Sequence, residues 1–357
     1  MNKKLVALAV AGVFALPLAA QAQSTNVTLY GIVDLGVRVD RTQNAGTLMR
    51  IEDGIESGNR IGLKGSEDLG GGLKANFLLE TGIQADTGGF TQGNLPWGRQ
   101  TWVSMSGGFG EVKMGRMYAT EFNQLAGVDP FGYGLLGHVA NIYVANMIRK
   151  NNAVEYTTPA MGGMVVQVQY TGNLSANESM SNPKDVGRNL GVRLNYAAGA
   201  FSVGGSFETL DVGPANRRHF TLNGTFNLGV AKLAASVMSA KCTHSGCGSF
   251  AIDDRYWLLG ATMPMGNGSL FATIANRDMR GTSLTDSTMF AVGYDYNLSK
   301  RTNIYASVAR MNNKQGEVAG VTVGGILGLS DSSNGGVTGN GAGYDPSAFA
   351  VGVRHKF

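Results

Sequence analysis

Phe349-Ala350-Val351-Gly352-Val353-Arg354-His355-Lys356-Phe357 closes the chain, and large apolar side chains alternate there with small or charged ones. At the two-residue period of a strand, Phe349, Val351, Val353 and Phe357 share one face while Arg354 and Lys356 share the other. One greasy face, one wet face and a terminal aromatic residue are explained by the last stave of a closed barrel with lipid outside and water inside.

The same alternation recurs upstream in fifteen more segments of about ten residues, sixteen in all, the length a tilted strand needs to cross a bilayer. Their connections alternate strictly between short and long. Short ones hold turn residues, among them Glu67-Asp68-Leu69-Gly70-Gly71, Gly107-Gly108-Phe109, Pro159-Ala160-Met161-Gly162 and Asn297-Leu298-Ser299-Lys300. Long ones run near 39–57, 83–97, 118–148, 172–186, 211–215, 241–251, 278–286 and 312–346. Seven short turns and eight long loops predict an all-β fold, a 16-stranded antiparallel transmembrane barrel of up-and-down topology with both termini on the short-turn side. A soluble sandwich supplies no reason for that asymmetry.

The N-terminus orders Lys3 and Lys4, an apolar run from Leu5 to Leu18, and Ala20-Gln21-Ala22, which is the layout of a secretory signal peptide. Residues 1–22 are therefore expected to be removed, leaving 23–357 as one barrel domain. The remainder has no uninterrupted apolar stretch of spanning length, which excludes a helical membrane protein. Fifty-three Gly with only 8 Pro suit many strands joined by tight turns, and a mean hydropathy of -0.03 fits a wall in which only alternate residues are apolar. Removing Lys3 and Lys4 from the 29 basic residues leaves 27 against 25 acidic ones, too even a balance for a nucleic-acid partner.

Cys242 and Cys247 lie between two strand-like runs in Cys-Thr-His-Ser-Gly-Cys. In an exported protein a loop-closing disulfide is the expected reading. The alternative, a metal site with His244, has an incomplete ligand set. No cofactor or metal is expected elsewhere.

A barrel of sixteen strands is too wide for side chains to fill, so its interior is an aqueous channel unless something plugs it. The connection from Tyr118 to Ile148, which carries Glu121 and Asp129, is the candidate constriction, and the Gly/Ser-rich stretch from Asn312 to Pro346 reads as an extracellular loop. Topology places Arg60, Glu80, Arg99, Arg116 and Arg149 toward the loop side of adjacent staves. Parity turns Arg60 and Lys64 away from Ile61 and Leu63, and Lys74, Asn76 and Glu80 away from Leu73, Ala75, Phe77 and Leu79. For the fourth and fifth strands parity is ambiguous, because Trp102 and Val103 compete for the outward face. Clustered arginines are costly in a dry core and sensible beside water; the alternative for each is an interfacial anchor or an isolated lumen charge.

Val27-Thr28-Leu29-Tyr30-Gly31-Ile32-Val33-Asp34, the block from Asn59 to Ala75, the hairpin from Val103 to Val112 with Met114-Gly115-Arg116, and the ending Arg354-His355-Lys356-Phe357 together resemble the general diffusion porins of Gram-negative outer membranes. The similarity covers the whole mature chain and is to the proteobacterial branch that includes anion-leaning trimeric porins. It implies a homotrimer of barrels in the cell outer membrane, among lipid and lipopolysaccharide, each pore narrowed by an inward-folded third loop. It also implies passive diffusion of small hydrophilic solutes and ions, and a terminal Phe357 read by the barrel-assembly machinery. By the same resemblance Arg60, Arg99 and Arg149, then Arg116, form the basic side of the constriction, and Glu80, Glu121 and Asp129 the acidic side, with weak anion preference. Lys64 and Lys74 are general lumen charges. This third loop departs from another porin branch in lacking Pro-Glu-Phe-Gly-Gly.

Gly132-Tyr133-Gly134-Leu135-Leu136-Gly137 has the G-x-G-x-x-G spelling but no βαβ unit around it, so nucleotide binding is set aside. The histidines His138, His219, His244 and His355 are dispersed, and no G-x-S-x-G context supports a lipase-type barrel enzyme, which stays an alternative beside a loop-displaying adhesin. His355 is expected at an interfacial ring. N-terminal sequencing of the exported protein is expected to begin at Gln23, and retention of Lys3 and Lys4 would contradict the leader assignment.

Overall fold

The computed structural model describes residues 26–42, 46–143, 147–172, 187–212, 215–242, 253–280, 286–313 and 345–357. The expected leader 1–22, most of the long loops near 172–186, 241–251, 278–286 and 312–346, and with them His244 and Cys247, lie outside these residues. Cys242 ends its strand buried and is not a free thiol.

One antiparallel sheet contains all the strands: β1 (Asn26–Thr42), β2 (Gly46–Asp53), β3 (Arg60–Gly70), β4 (Leu73–Gly82), β5 (Gln100–Gly107) and β6 (Gly110–Tyr118). After the helix α1 (Thr120–Val128) and a 3-10 turn (Val139–Asn141) come β7 (Arg149–Thr157), β8 (Met164–Thr171), β9 (Asn189–Ala198), β10 (Phe201–Val212) and β11 (Ala215–Asn227). The wall is completed by β12 (Lys232–Cys242), β13 (Asp253–Met265), β14 (Gly268–Arg280), β15 (Ser287–Asn297), β16 (Thr302–Asn313) and β17 (Ser347–Lys356). β2 and β3 are two halves of one stave, since β2 pairs with β1 from Leu35↔Asp53 to Thr42↔Gly46 and β3 from Asn26↔Ser66 to Ile32↔Arg60. Counted so, the wall is a closed 16-strand barrel, sealed where β17 pairs with β1.

The period-two pattern produces this wall because each stave puts alternate side chains in two different solvents. Along β17, Phe349, Val351, Val353 and Phe357 are exposed on the outer face, while Ala348 and Ala350 are buried inside. His355 shares the outer parity and bonds Thr302 Oγ1 at 2.9 Å. At the seam the Phe357 ring lies over Gly31, where even a Cβ would come within 2.2 Å of it, and Phe357 and Gly31 exchange both backbone hydrogen bonds at 3.1 Å. The parity that the sequence left open for β5 is settled: Trp102 pairs with inward Leu78 and lies 4.9 Å from the Lys113 ammonium, and Val103 faces outward with 52% of its surface exposed.

Two expected loops are strands instead. Within 39–57, β1 continues to Thr42 and returns as β2, because Thr47-Leu48-Met49-Arg50-Ile51-Glu52 itself alternates. Within 211–215, β10 runs to Val212 and β11 starts at Ala215. Between β2 and β3, Gly54–Asn59 leaves the wall. Asp34 holds this break by accepting the Glu56 and Ser57 backbone N–H groups at 2.7 and 2.6 Å, and its own N–H donates to Asn59 Oδ1 at 2.6 Å.

The connection after β6 folds into the barrel. α1 packs on β8 to β12, and the chain beyond it continues along the adjoining wall, where Phe131, Leu135, Leu136, Val139, Ile142 and Tyr143 form one buried cluster with residues of β12 to β17. That wall makes room with small inward residues: Ala240, Ala275, Ala291, Ala309, Ala348 and Ala350 all belong to the cluster. A Cβ on Gly260 would meet Pro130 at 2.4 Å, and one on Gly293 would meet Phe131 at 2.9 Å. The Leu135 N–H donates to the Ile55 carbonyl at 2.5 Å, tying the loop to the break in the second stave. Ala291→Leu forces a large side chain against Gly137, whose added Cβ would already lie 2.6 Å from that of Ala291. It is expected to cost about 1–3 kcal/mol, read as a lower urea midpoint of the folded barrel; an unshifted midpoint would contradict this packing.

Candidate pore constriction

Arg60 is the first residue of β3, placed inside by its register with Ile32 and Gly82. Its Nε donates to the Gly58 carbonyl at 2.8 Å, and its Nη1 lies 4.0 Å from Glu80 Oε2. Glu80 occupies the adjacent row of β4 and accepts Arg99 Nε at 2.8 Å and the Tyr30 hydroxyl at 2.7 Å. Arg99 Nη2 donates to the Tyr118 hydroxyl at 2.6 Å. That hydroxyl also accepts Arg149 Nη2 at 3.2 Å, and the Arg149 guanidinium lies 4.7 Å from the Tyr118 ring centroid. Arg60, Arg99 and Arg149 are thus linked across the wall through Glu80 and Tyr118. Gly58 lets the first two approach, because a Cβ there would sit 3.0 Å from Arg99 Nη1 and 4.0 Å from Arg60 Nη2. Arg60 and Arg99 share one carboxylate and Arg149 meets the neutral Tyr118, which leaves the linked group positively charged.

The other expected residues are placed differently. Arg116 has the outward parity of Thr101 and donates to the Gly98 carbonyl at 2.8 Å and to Asn151 Oδ1. Glu121, expected to face the water, is fully buried between α1 and β11, bonded to the Tyr143 hydroxyl and, at 2.8 Å, to His219 Nδ1. Asp129 is also buried, its carboxylate accepting the N–H groups of Phe131, Tyr133 and Val139 at 3.1, 3.1 and 2.9 Å. These are the only two acids between Tyr118 and Ile148, so the loop's expected share of the acidic side is corrected: both carboxylates are buried and shape the loop, while Glu80, the third acid expected there, stays beside Arg60 and Arg99. The amide donors of a tight bend explain why Asp129 turns inward on its own loop. Lys64 is exposed on the inner face with its ammonium 5.4 Å from the Tyr30 ring, and Lys74 is exposed inside beside the first short turn.

Sequence reasoning missed Tyr30 and Tyr118. Tyr30 shares the parity of Thr28 and Asp34, a signal that was available, whereas nothing local marks Tyr118 as the acceptor for two arginines. It also missed the ion pair Lys150 Nζ to Glu208 Oε2, at 3.2 Å and fully buried behind α1, with Thr120 Oγ1 donating to Glu208 at 2.9 Å.

Two loop groups titrate abnormally. Burial pushes Asp129 up to about 6 against its three N–H donors. Burial, aided by the positive charge of Arg38, holds His138 down to about 4.

Comparison with known proteins gives one consistent result. A family profile described as Gram-negative porin matches residues 7–316. Outer membrane porin protein 32 of Delftia acidovorans is 34% identical over 371 residues, covering 100% of both chains. An outer membrane porin protein of Bordetella pertussis is 29% identical, covering 86% of this chain and 93% of its own. The solved structure of an anion-selective porin from Comamonas acidovorans superposes with a TM-score of 0.77 at 31% identity, covering 94% of this chain and 100% of its own.

His138 has a folded value of about 4, below its ordinary value, so the stability its neutral ring supplies is present at neutral pH and is lost as pH falls toward 4. Asp129, raised to about 6, runs the other way and favours the packed loop in acid. The His138 cost reaches on the order of 3 kcal/mol near pH 4. Open-channel current noise in wild type minus that in His138→Gln is expected to grow as pH falls from neutrality toward 4; a constant difference would refute this coupling.

Proposed function

The chain belongs to the Gram-negative porin family and is an outer-membrane channel protein, and from that premise we propose that it passes small hydrophilic solutes and ions with a weak anion preference set by Arg60, Arg99 and Arg149. The observation that carries this reading is three guanidinium groups linked with a single carboxylate, Glu80, which is approached by Arg60 and Arg99 while Arg149 joins through the Tyr118 hydroxyl. The side chain of Arg60 keeps 21% of its surface exposed, so its charge reaches the water path. Arginine holds its charge at every relevant pH and offers planar donors to hydrated anions while leaving them exchangeable.

The burial of Glu121 and Asp129 supports a field of one dominant sign rather than a balanced transverse field. The named relatives are porins, channels rather than enzymes, so permeation is favoured over a lipase reading. Assembly as a homotrimer belongs to the same proposal. It is supported by the apolar side chains Phe90, Leu95 and Trp97 that the connection between β4 and β5 leaves exposed, a tip suited to burial against a second copy. Lipopolysaccharide around the barrel and the assembly machinery at Phe357 are proposed with it.

Reversal potentials across bilayers in a potassium chloride gradient test the assignment. Arg60→Ala is expected to lower the anion-to-cation permeability ratio about two- to five-fold, the range implied by one unit charge a few ångströms from a hydrated ion. The difference from wild type should fade as salt rises, because the Debye length shrinks from about 30 Å at 0.01 M to about 3 Å at 1 M. Unchanged selectivity and conductance would defeat the role given to Arg60.

A further inference from the structure

The helix α1 buries Thr120, Glu121, Gln124, Leu125 and Val128 against the wall. Its opposite face, with Phe122, Asn123, Ala126 and Gly127, is the one left facing the interior space. On that face the Phe122 ring touches two others. It stacks on Tyr118 with centroids 4.6 Å apart and an interplanar angle of 16°, and it meets Tyr133 at 4.6 Å and 57°. Beyond Tyr118 comes the Arg149 guanidinium, 4.7 Å from the ring centroid. The order Arg149, Tyr118, Phe122, Tyr133 is therefore one continuous pile that begins at the arginine cluster and continues along the folded-in loop.

Resting on the anion-path reading of that cluster, we propose that this aromatic pile makes the narrow zone prefer anions carrying a planar aromatic ring, aromatic monocarboxylates being the simplest class. With Tyr118 stacked on one face of Phe122 and Tyr133 tilted against the same ring, its edge is taken as the part offered to the interior. Ring edges carry partial positive charge and meet the face of another ring in a T-shaped contact. An aromatic carboxylate fits both elements at once: its oxygens accept from the guanidinium donors of Arg60, Arg99 or Arg149, and its ring face lies on the edges of Tyr118 and Phe122. Tyr118 joins the two, since its hydroxyl is bonded to Arg99 and Arg149 while its ring stacks on Phe122. An aliphatic carboxylate of the same charge gains only the first contact. One ring contact multiplies occupancy about two- to twelve-fold, enough to favour entry and too little to hold the ion.

The purified full barrel in planar bilayers, bathed by dilute potassium benzoate on one side and potassium cyclohexanecarboxylate on the other, tests this directly. The two anions match in charge and carbon count and differ in the flat π face. Wild type is expected to favour benzoate by about two- to twelve-fold, Phe122→Tyr to keep that preference, and Phe122→Leu to bring the ratio close to one. A wild-type ratio of one overturns the proposal without any variant, and so does a preference that survives Phe122→Leu. The potassium chloride reversal potential, read in the same membranes, separates the two levels. A wild-type pore with no anion preference sinks the arginine assignment, whereas an anion-selective pore indifferent to the ring sinks only the aromatic preference.

Discussion

Hydrocarbon offers a peptide group no hydrogen-bond partner, so every N–H and C=O that crosses the bilayer has to find one within the protein. An open sheet fails this test at its two edges; joining β17 to β1 removes both. Features near the seam follow from that closure. Gly31 is small because the Phe357 ring lies over it, and Asp34 stands opposite Arg354 on the inner face, where the two charges are kept out of lipid. Arg354 turns its guanidinium to Glu56, at 2.9 Å, so the closing stave is also tied to the break in the second one.

Closing sixteen staves encloses more space than their side chains fill, and the third loop occupies part of it. The loop stays because one region of wall is shaped for it. Alanines and glycines on the inner face of β12 to β17 admit Phe131 and Leu135, and the break at Gly54–Asn59 supplies a carbonyl for Leu135. Wall and loop are complementary in volume, so a larger residue on one has to be answered on the other.

Charge follows water. Behind the loop, where solvent is excluded, cations are matched by acids: Lys150 with Glu208, Arg277 with Asp254, Arg38 with Asp40. An unmatched charge there carries a desolvation cost of several kcal/mol or more. Nearer the break in the second stave Arg60 and Arg99 lie with one carboxylate, Glu80, between them, and Arg149 joins them through the Tyr118 hydroxyl. Glu121 and Asp129 leave the lumen for a different reason, the hydrogen-bond donors inside: His219 and the Tyr143 hydroxyl hold Glu121, and backbone N–H groups of its own loop hold Asp129.

The strand period, turn chemistry and terminal aromatic residue determined the barrel from sequence alone, because the two-residue alternation is a local record of which solvent each side chain meets. It also placed Arg60, Lys64, Lys74 and Glu80 on the inner face, since their strands alternate cleanly. Strand ends at 39–57 and 211–215 were misread as loops because an alternating pattern continues past the membrane without a change of chemistry. The orientation of Trp102 and Arg116, the burial of Glu121 and Asp129, and the joining of Arg99 to Arg149 through Tyr118 were decided by tertiary structure. Each depends on contacts between staves or between loop and wall that are distant in sequence, and a side chain's own neighbours carry no record of the partner that folding brings to it.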